Sequence, residues 1–65
     1  MHDYTTIIGV IDLRQNSISY DKVQERYHLG RSGITLIMNR YKDSGLSLAD
    51  LKQMPAGKVV DLFYP

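Results

Sequence analysis

The chain contains no cysteine, so neither disulfides nor thiolate zinc sites can stabilise it. Proline is scarce: Pro55 and Pro65 are the only two, and everything before Pro55 is free of the strongest helix breaker. Long apolar runs are missing as well. The longest near-apolar stretch, Ile7 to Ile11, interrupts itself at Gly9, whereas a membrane-crossing helix needs about 20 residues. The opening Met1-His2-Asp3-Tyr4 lacks the basic segment and apolar core of a secretion signal, so the expected compartment is the cytoplasm. Neither sign of charge is in large excess. Eight Lys/Arg against seven Asp/Glu leave a formal net charge of +1, which by itself neither requires nor excludes nucleic acid.

What remains is a globular composition, 43% hydrophobic and 23% charged, in 65 residues. A chain of that length buries only about 60% of its unfolded surface. Its stability must therefore come from tight helix packing or from a partner. There are no internal repeats and no low-complexity tract.

Apolar spacings of three and four dominate, which predicts an all-α fold. Asp3 is suited to cap a first helix over about Tyr4 to Arg14, because its carboxylate accepts orphan amides of the first turn. Tyr4, Ile7, Ile8 and Ile11 fall at i, i+3, i+4 and i+7 and make a buried stripe that Val10 widens. Gly9 should weaken the middle of that helix by roughly 1 kcal/mol against alanine. Gln15-Asn16-Ser17 reads as an exit loop, and Ile18 as a loop hydrophobe folded onto the core. Ser19 caps a second helix that stops near Tyr27 or His28, with Asp21 at the positive end of its dipole. Val23 and Tyr27 face inward there, and Lys22, Glu25 and Arg26 face water.

A third helix follows a short turn, about His28 to Gly30, and runs to about Ser44. Leu29, Ile34, Ile37, Met38 and Tyr41 lie on one side of it. Arg31, Ser32, Thr35, Leu36 and Asn39 lie on another. Gly45 is placed to close this helix in the left-handed conformation, with Leu46 making the accompanying apolar contact. Ser47 and Asp50 form a capping-box pattern, with aspartate where glutamate is commoner, before a short helix over about Leu48 to Gln53. Pro55 ends it and can sit at the first turn of a last helix, about Ala56 to Phe63, whose apolar set is Val59, Val60, Leu62 and Phe63. The expected architecture is one domain over residues 1–65: a three-helix helix-turn-helix core with one or two short C-terminal helices in a 46–65 extension. The apolar end at Tyr64-Pro65 suggests a fragment cut from a longer polypeptide.

The stretch from Ser19 to Gly45 points to function. A short helix, a turn of about three residues and a longer helix make the helix-turn-helix pattern. In that arrangement the first helix crosses the DNA backbone and the second enters the major groove. Arg31 and Ser32 open the second helix, where backbone amides can meet a phosphate. Arg31 is equally suited to a bidentate grip on guanine O6 and N7. Thr35 and Asn39 follow one and two turns later on the same face, and Leu36 suits a thymine methyl. Lys22, Arg26, Arg40 and Lys42 are the nearest candidates for phosphate contacts. This stretch holds five Lys/Arg and three Asp/Glu, a net of +2, and the remaining three and four give −1. So small an excess predicts weak non-specific affinity for one copy.

Other residues point elsewhere. Tyr20 fits either the DNA backbone or the core. Tyr4, Tyr27 and Tyr41 fall on inward stripes and fit core edges better than a stacking platform. His28 reads as a turn residue, and His2 sits at a terminus, so the two histidines make no metal site. Asp12, Asp21, Asp43, Asp50 and Asp61 are spread evenly, as solvating charges, without the cluster that acid–base chemistry needs. No nucleophile–base pair or glycine-rich phosphate loop is present. The segment is therefore expected to have no catalytic centre, cofactor, metal, small-molecule substrate or membrane partner, and its expected partner is double-stranded DNA.

The run Tyr27-His-Leu-Gly-Arg-Ser-Gly-Ile-Thr-Leu-Ile-Met-Asn-Arg-Tyr-Lys-Asp-Ser-Gly-Leu-Ser47 resembles the N-terminal helix-turn-helix of IstA-type transposases of bacterial insertion sequences. Asp3-Tyr4, Ile7-Ile8, Ser19 with Val23, Arg31-Ser32, Gly45-Leu46-Ser47 and Leu62-Phe63-Tyr64-Pro65 match that pattern in order and span nearly the whole chain. His28 stands where the family turn has glycine, Gln24 where its first paired helix has alanine, and Gly30 where the helix cap is serine or threonine. The resemblance implies binding to the terminal inverted repeats of a transposon. The acidic catalytic triad, and any self-association, would then belong to the downstream parent chain. Two other readings share the local features: the DNA-binding domain of a transcriptional regulator, and a helical protein-interaction module that has kept the fold and lost DNA binding.

Overall fold

The protein, represented by a computed structural model, is described over residues 3–64; Met1, His2 and Pro65 lie outside the described residues. The described residues form five helices and no strand: α1 Tyr4–Gln15, α2 Tyr20–Tyr27, α3 Arg31–Ser44, α4 Leu48–Gln53 and α5 Ala56–Phe63. The all-α expectation holds, with two C-terminal helices after the helix-turn-helix core.

Short polar side chains set most of the starts. The Asp3 carboxylate accepts the Thr6 amide at 2.9 Å, and Ser19 Oγ accepts the Lys22 amide at 3.4 Å. At α4 the capping box is complete: the Asp50 amide donates to Ser47 Oγ at 3.1 Å, and the Ser47 amide donates to Asp50 Oδ2 at 3.0 Å. Gly30 leads α3 without a side-chain cap. Pro55 is the capping residue just before α5 rather than the first residue of its first turn.

Left-handed residues set three of the ends: Ser17 at φ 63°, His28 at φ 55° and Gly45 at φ 69°. The α1 end is a Schellman motif. The Ser17 amide donates to the Arg14 carbonyl at 3.1 Å and the Ile18 amide to the Leu13 carbonyl at 3.0 Å. This reversal folds Ile18 back, half-buried, onto the core. Leu46 does the same after Gly45.

The buried cluster draws on every helix: Ile7, Val10 and Ile11 from α1, Val23 from α2, Ile34 and Ile37 from α3, Leu51 from α4, and Val59 and Phe63 from α5. Leu29 joins it from the turn. Helix α1 packs against each of the other four, and α3 also meets α2 and α5. Residues 46–65 therefore share the core of the helix-turn-helix through Leu51, Val59 and Phe63.

The structure corrects three further expectations. Tyr4 and Ile8 are half-buried members of the α1 stripe, because the fully buried line runs through Ile7, Val10 and Ile11. Leu62 is 39% exposed, since Val59 and Phe63, four apart, take the inward line of α5. The role of Gly9 also changes. Tyr27 lies so close to α1 that a methyl group at position 9 would overlap its hydroxyl and Cζ. The missing side chain is what lets α2 approach α1.

Gly9→Ala should therefore lower stability by about 1–3 kcal/mol in urea or thermal unfolding, despite the better helix propensity of alanine. In a Tyr27→Ala background the sign should reverse, and alanine at position 9 should stabilise by about 1 kcal/mol. An unchanged melting temperature for Gly9→Ala alone would contradict the close approach.

The Ser47 amide, and then its hydroxyl, hold the Asp50 carboxyl below its ordinary value of 3.8. The folded state thus favours the carboxylate. Its stabilisation is complete above the ordinary value and is lost as pH falls through the lowered one. Asp50→Asn should remove this component, narrowing the gap between variant and parent as acid is added below pH 3.8. Circular dichroism on both proteins reads the difference.

Candidate nucleic-acid interface

The turn between α2 and α3 fixes how α3 is presented. The His28 amide donates to the Gln24 carbonyl at 2.7 Å, closing α2 with a left-handed residue. Leu29 then drops into the core, and Gly30 runs extended into α3. The amides of Gly33 and Ile34 donate to the Gly30 carbonyl at 3.1 and 3.2 Å. With Leu29, Ile34 and Ile37 all buried, the rotation of α3 about its axis is set.

The six α3 residues singled out from the sequence, Arg31, Ser32, Thr35, Leu36, Asn39 and Arg40, are all exposed. The Thr35 hydroxyl donates to the Arg31 carbonyl at 3.0 Å, so towards a partner it acts only as an acceptor. The only acid on α3 is Asp43, near its end. Lys22 and Arg26 are exposed on α2. Neither lines the clefts beside α3, and the Arg26 guanidinium lies over the Tyr27 ring at 5.3 Å.

Two open clefts flank α3. One, between α3 and α5, is lined by Leu36, Asn39, Arg40, Asp43, Ser44 and Leu62. Leu36 and Leu62 are the two large exposed apolar side chains among the described residues, each at 39%. Arg40 lies near Tyr64, where burial raises the pKa of the tyrosine hydroxyl and the arginine charge opposes that rise. The other cleft lies between α3 and the junction of α1 with α2, lined by Arg14, Tyr20, Met38, Asn39, Tyr41 and Lys42. Asn39 borders both clefts and so occupies the centre of the outward face.

Sequence reasoning missed Arg14. It sits in the last turn of α1, outside the Ser19–Gly45 stretch. Its Nη1 donates to the Ile18 carbonyl at 2.6 Å, and its guanidinium lies 4.3 Å from the centroid of the Tyr20 ring. The Arg31 guanidinium lies 4.9 Å from the same centroid. Tyr20, half-buried and packed on the core, thus brings together two arginines that are seventeen positions apart in the chain. No sequence signal marks it: the Schellman reversal at Ser17, which brings the end of α1 beside the start of α2, is visible only in the structure. Tyr41 is held on the same side, its hydroxyl accepting from Gln15 Nε2 at 2.6 Å.

Among the described residues, no three His, Cys, Asp or Glu side chains converge as a metal site, and no helix is long and apolar enough to cross a membrane. No protein-family model, curated protein or solved structure matches the chain.

His28 carries the strain of the turn, because a side chain in the left-handed region costs about 1–2 kcal/mol. His28→Gly should relieve it and raise stability by about 0.5–1 kcal/mol after the entropy of the unfolded glycine is counted. Denaturant midpoints of the two proteins check this.

Proposed function

We propose that this chain binds double-stranded DNA sequence-specifically, with α3 in the major groove, as the N-terminal domain of an IstA-type transposase. Its target is the terminal inverted repeats of its element, and it acts in the cytoplasm. The observation that carries this reading is the division of α3. Its inner side belongs wholly to the core, and its outer side is open, polar and led by arginine. A major groove about 12 Å wide admits such a helix. Asn39, at the centre of the face, can pair with adenine N6 and N7, with Ser32 and Thr35 beside it. Leu36 offers an apolar contact to a thymine methyl. Arg40 and Lys42, in the clefts on the two sides of α3, are the cations that would meet phosphates there, with Lys22 and Arg26 on α2 as more distant candidates.

One observation favours a second reading, a helical protein-interaction module. Leu36 and Leu62 expose apolar surface together in the cleft between α3 and α5. Chemical-shift mapping separates the two. Duplex DNA should perturb amides along the whole outer face from Arg31 through Thr35 to Asn39, whereas a protein seated in that cleft should perturb Leu36, Arg40 and Leu62 and leave Arg31 to Thr35 unmoved.

The direct test is fluorescence anisotropy on duplexes carrying insertion-sequence ends and on scrambled controls, across a salt series. Affinity should fall linearly in log–log form as salt rises, by about 0.9 of slope per phosphate contacted. The repeat-end duplex should bind more tightly than its control, and Asn39→Ala should erase about 1–3 kcal/mol of that preference. Equal affinity for both duplexes, or binding indifferent to salt, would count against the reading.

A further inference from the structure

We infer that Arg14 and Arg31, gathered on the Tyr20 ring, and Lys42 further along the same edge form a clamp for the phosphates of one DNA strand, leaving base reading to the centre of α3. This rests on the DNA-binding reading above and assigns the roles within it. Three cationic side chains, one from α1 and one from each end of α3, lie along one edge of the outer α3 face, with Arg14 the link between the other two. Arg14 and Lys42 line a single cleft with Tyr20 and Asn39, and Arg31 reaches the same ring from the first turn of α3. The cleft lining includes no carboxylate. A cluster of like charge with no acid lining it suits an anion, and guanidinium groups suit phosphate oxygens in particular.

Geometry also separates clamp from reader. Arg31 lies over a ring carried by α2 and is thereby drawn to the edge of the α3 face. Asn39 borders both clefts and stays at the centre. Arg31 therefore grips the strand rather than a guanine. Tyr20 is a positioning residue. Its ring, anchored on the core, holds both guanidiniums in place before DNA arrives, which lowers the ordering cost of the contact.

The experiment measures binding of the 65-residue chain to a pool of randomised duplexes, with selection and sequencing for base preference and a salt series for charge. Arg14→Gln and Arg31→Gln should each weaken binding about tenfold on every sequence and reduce the salt slope by about one, without changing the preferred bases. Arg14→Lys should restore the slope. Tyr20→Leu should weaken binding like the arginine variants, and Tyr20→Phe, which keeps the ring, should bind like the parent. Circular dichroism confirms that each variant folds, and a Tyr20→Leu chain that unfolds leaves the decision to the two arginine variants. If the parent binds duplex but Arg14→Gln keeps its affinity and slope, or Arg31→Gln changes the preferred base at one position, the clamp is overturned and DNA binding stands. If the parent binds no duplex at all, both readings fall.

Discussion

Ile7, Val10 and Ile11 sit where all the other helices meet. Helix α1 is the one element that packs on each of the remaining four, and no cysteine is present to cross-link them. A chain this small has little buried surface to spare, so a single apolar stripe must serve several neighbours at once. The close approach of α2 follows from it. With no side chain at Gly9, the Tyr27 ring lies against the α1 backbone. A helix-breaking residue is retained in the middle of the central helix because close packing there outweighs about 1 kcal/mol of propensity.

From that frame the orientation of α3 follows. Leu29 enters the core directly after the left-handed His28, and Ile34 and Ile37 continue the same buried line. Because these residues point inward, Arg31, Ser32, Thr35, Asn39 and Arg40 must point outward. Helices α4 and α5 close the core from the far side through Leu51, Val59 and Phe63. They leave the α3 face uncovered, and α5 reaches only its Leu36–Arg40 edge.

The two edges of that face differ in chemistry. Towards α5 it is mixed, with two leucines, an arginine and an aspartate. Towards α1 and α2 it is cationic and aromatic. Each guanidinium over the Tyr20 ring gains on the order of 0.5–1 kcal/mol at an exposed site, which is little for stability but enough to restrict where the long side chains point. In the proposed DNA-binding reading, this asymmetry lets one edge of α3 hold a strand while the centre meets bases.

Much of the fold was legible in the sequence, because its determinants are local. The caps at Asp3, Ser19 and Ser47, the left-handed Gly45, the Pro55 break and the three-and-four spacing depend on residues within a turn or two of one another. The outward set on α3 was legible for the same reason: once Ile34 and Ile37 are inward, helical geometry leaves the others no choice. What the sequence could not reveal depends on residues far apart in the chain. The purpose of Gly9 lies in Tyr27, the exposure of Leu62 lies in how α5 meets α3, and the membership of Arg14 in the cationic edge lies in the reversal at Ser17 that carries α2 back beside α1. Local hydrogen bonding and periodicity determined which helices form and which side of each is oily. Only the packing of those helices on one another decided which charged side chains became neighbours, because such proximity is set by the shared core and not by any spacing along the chain.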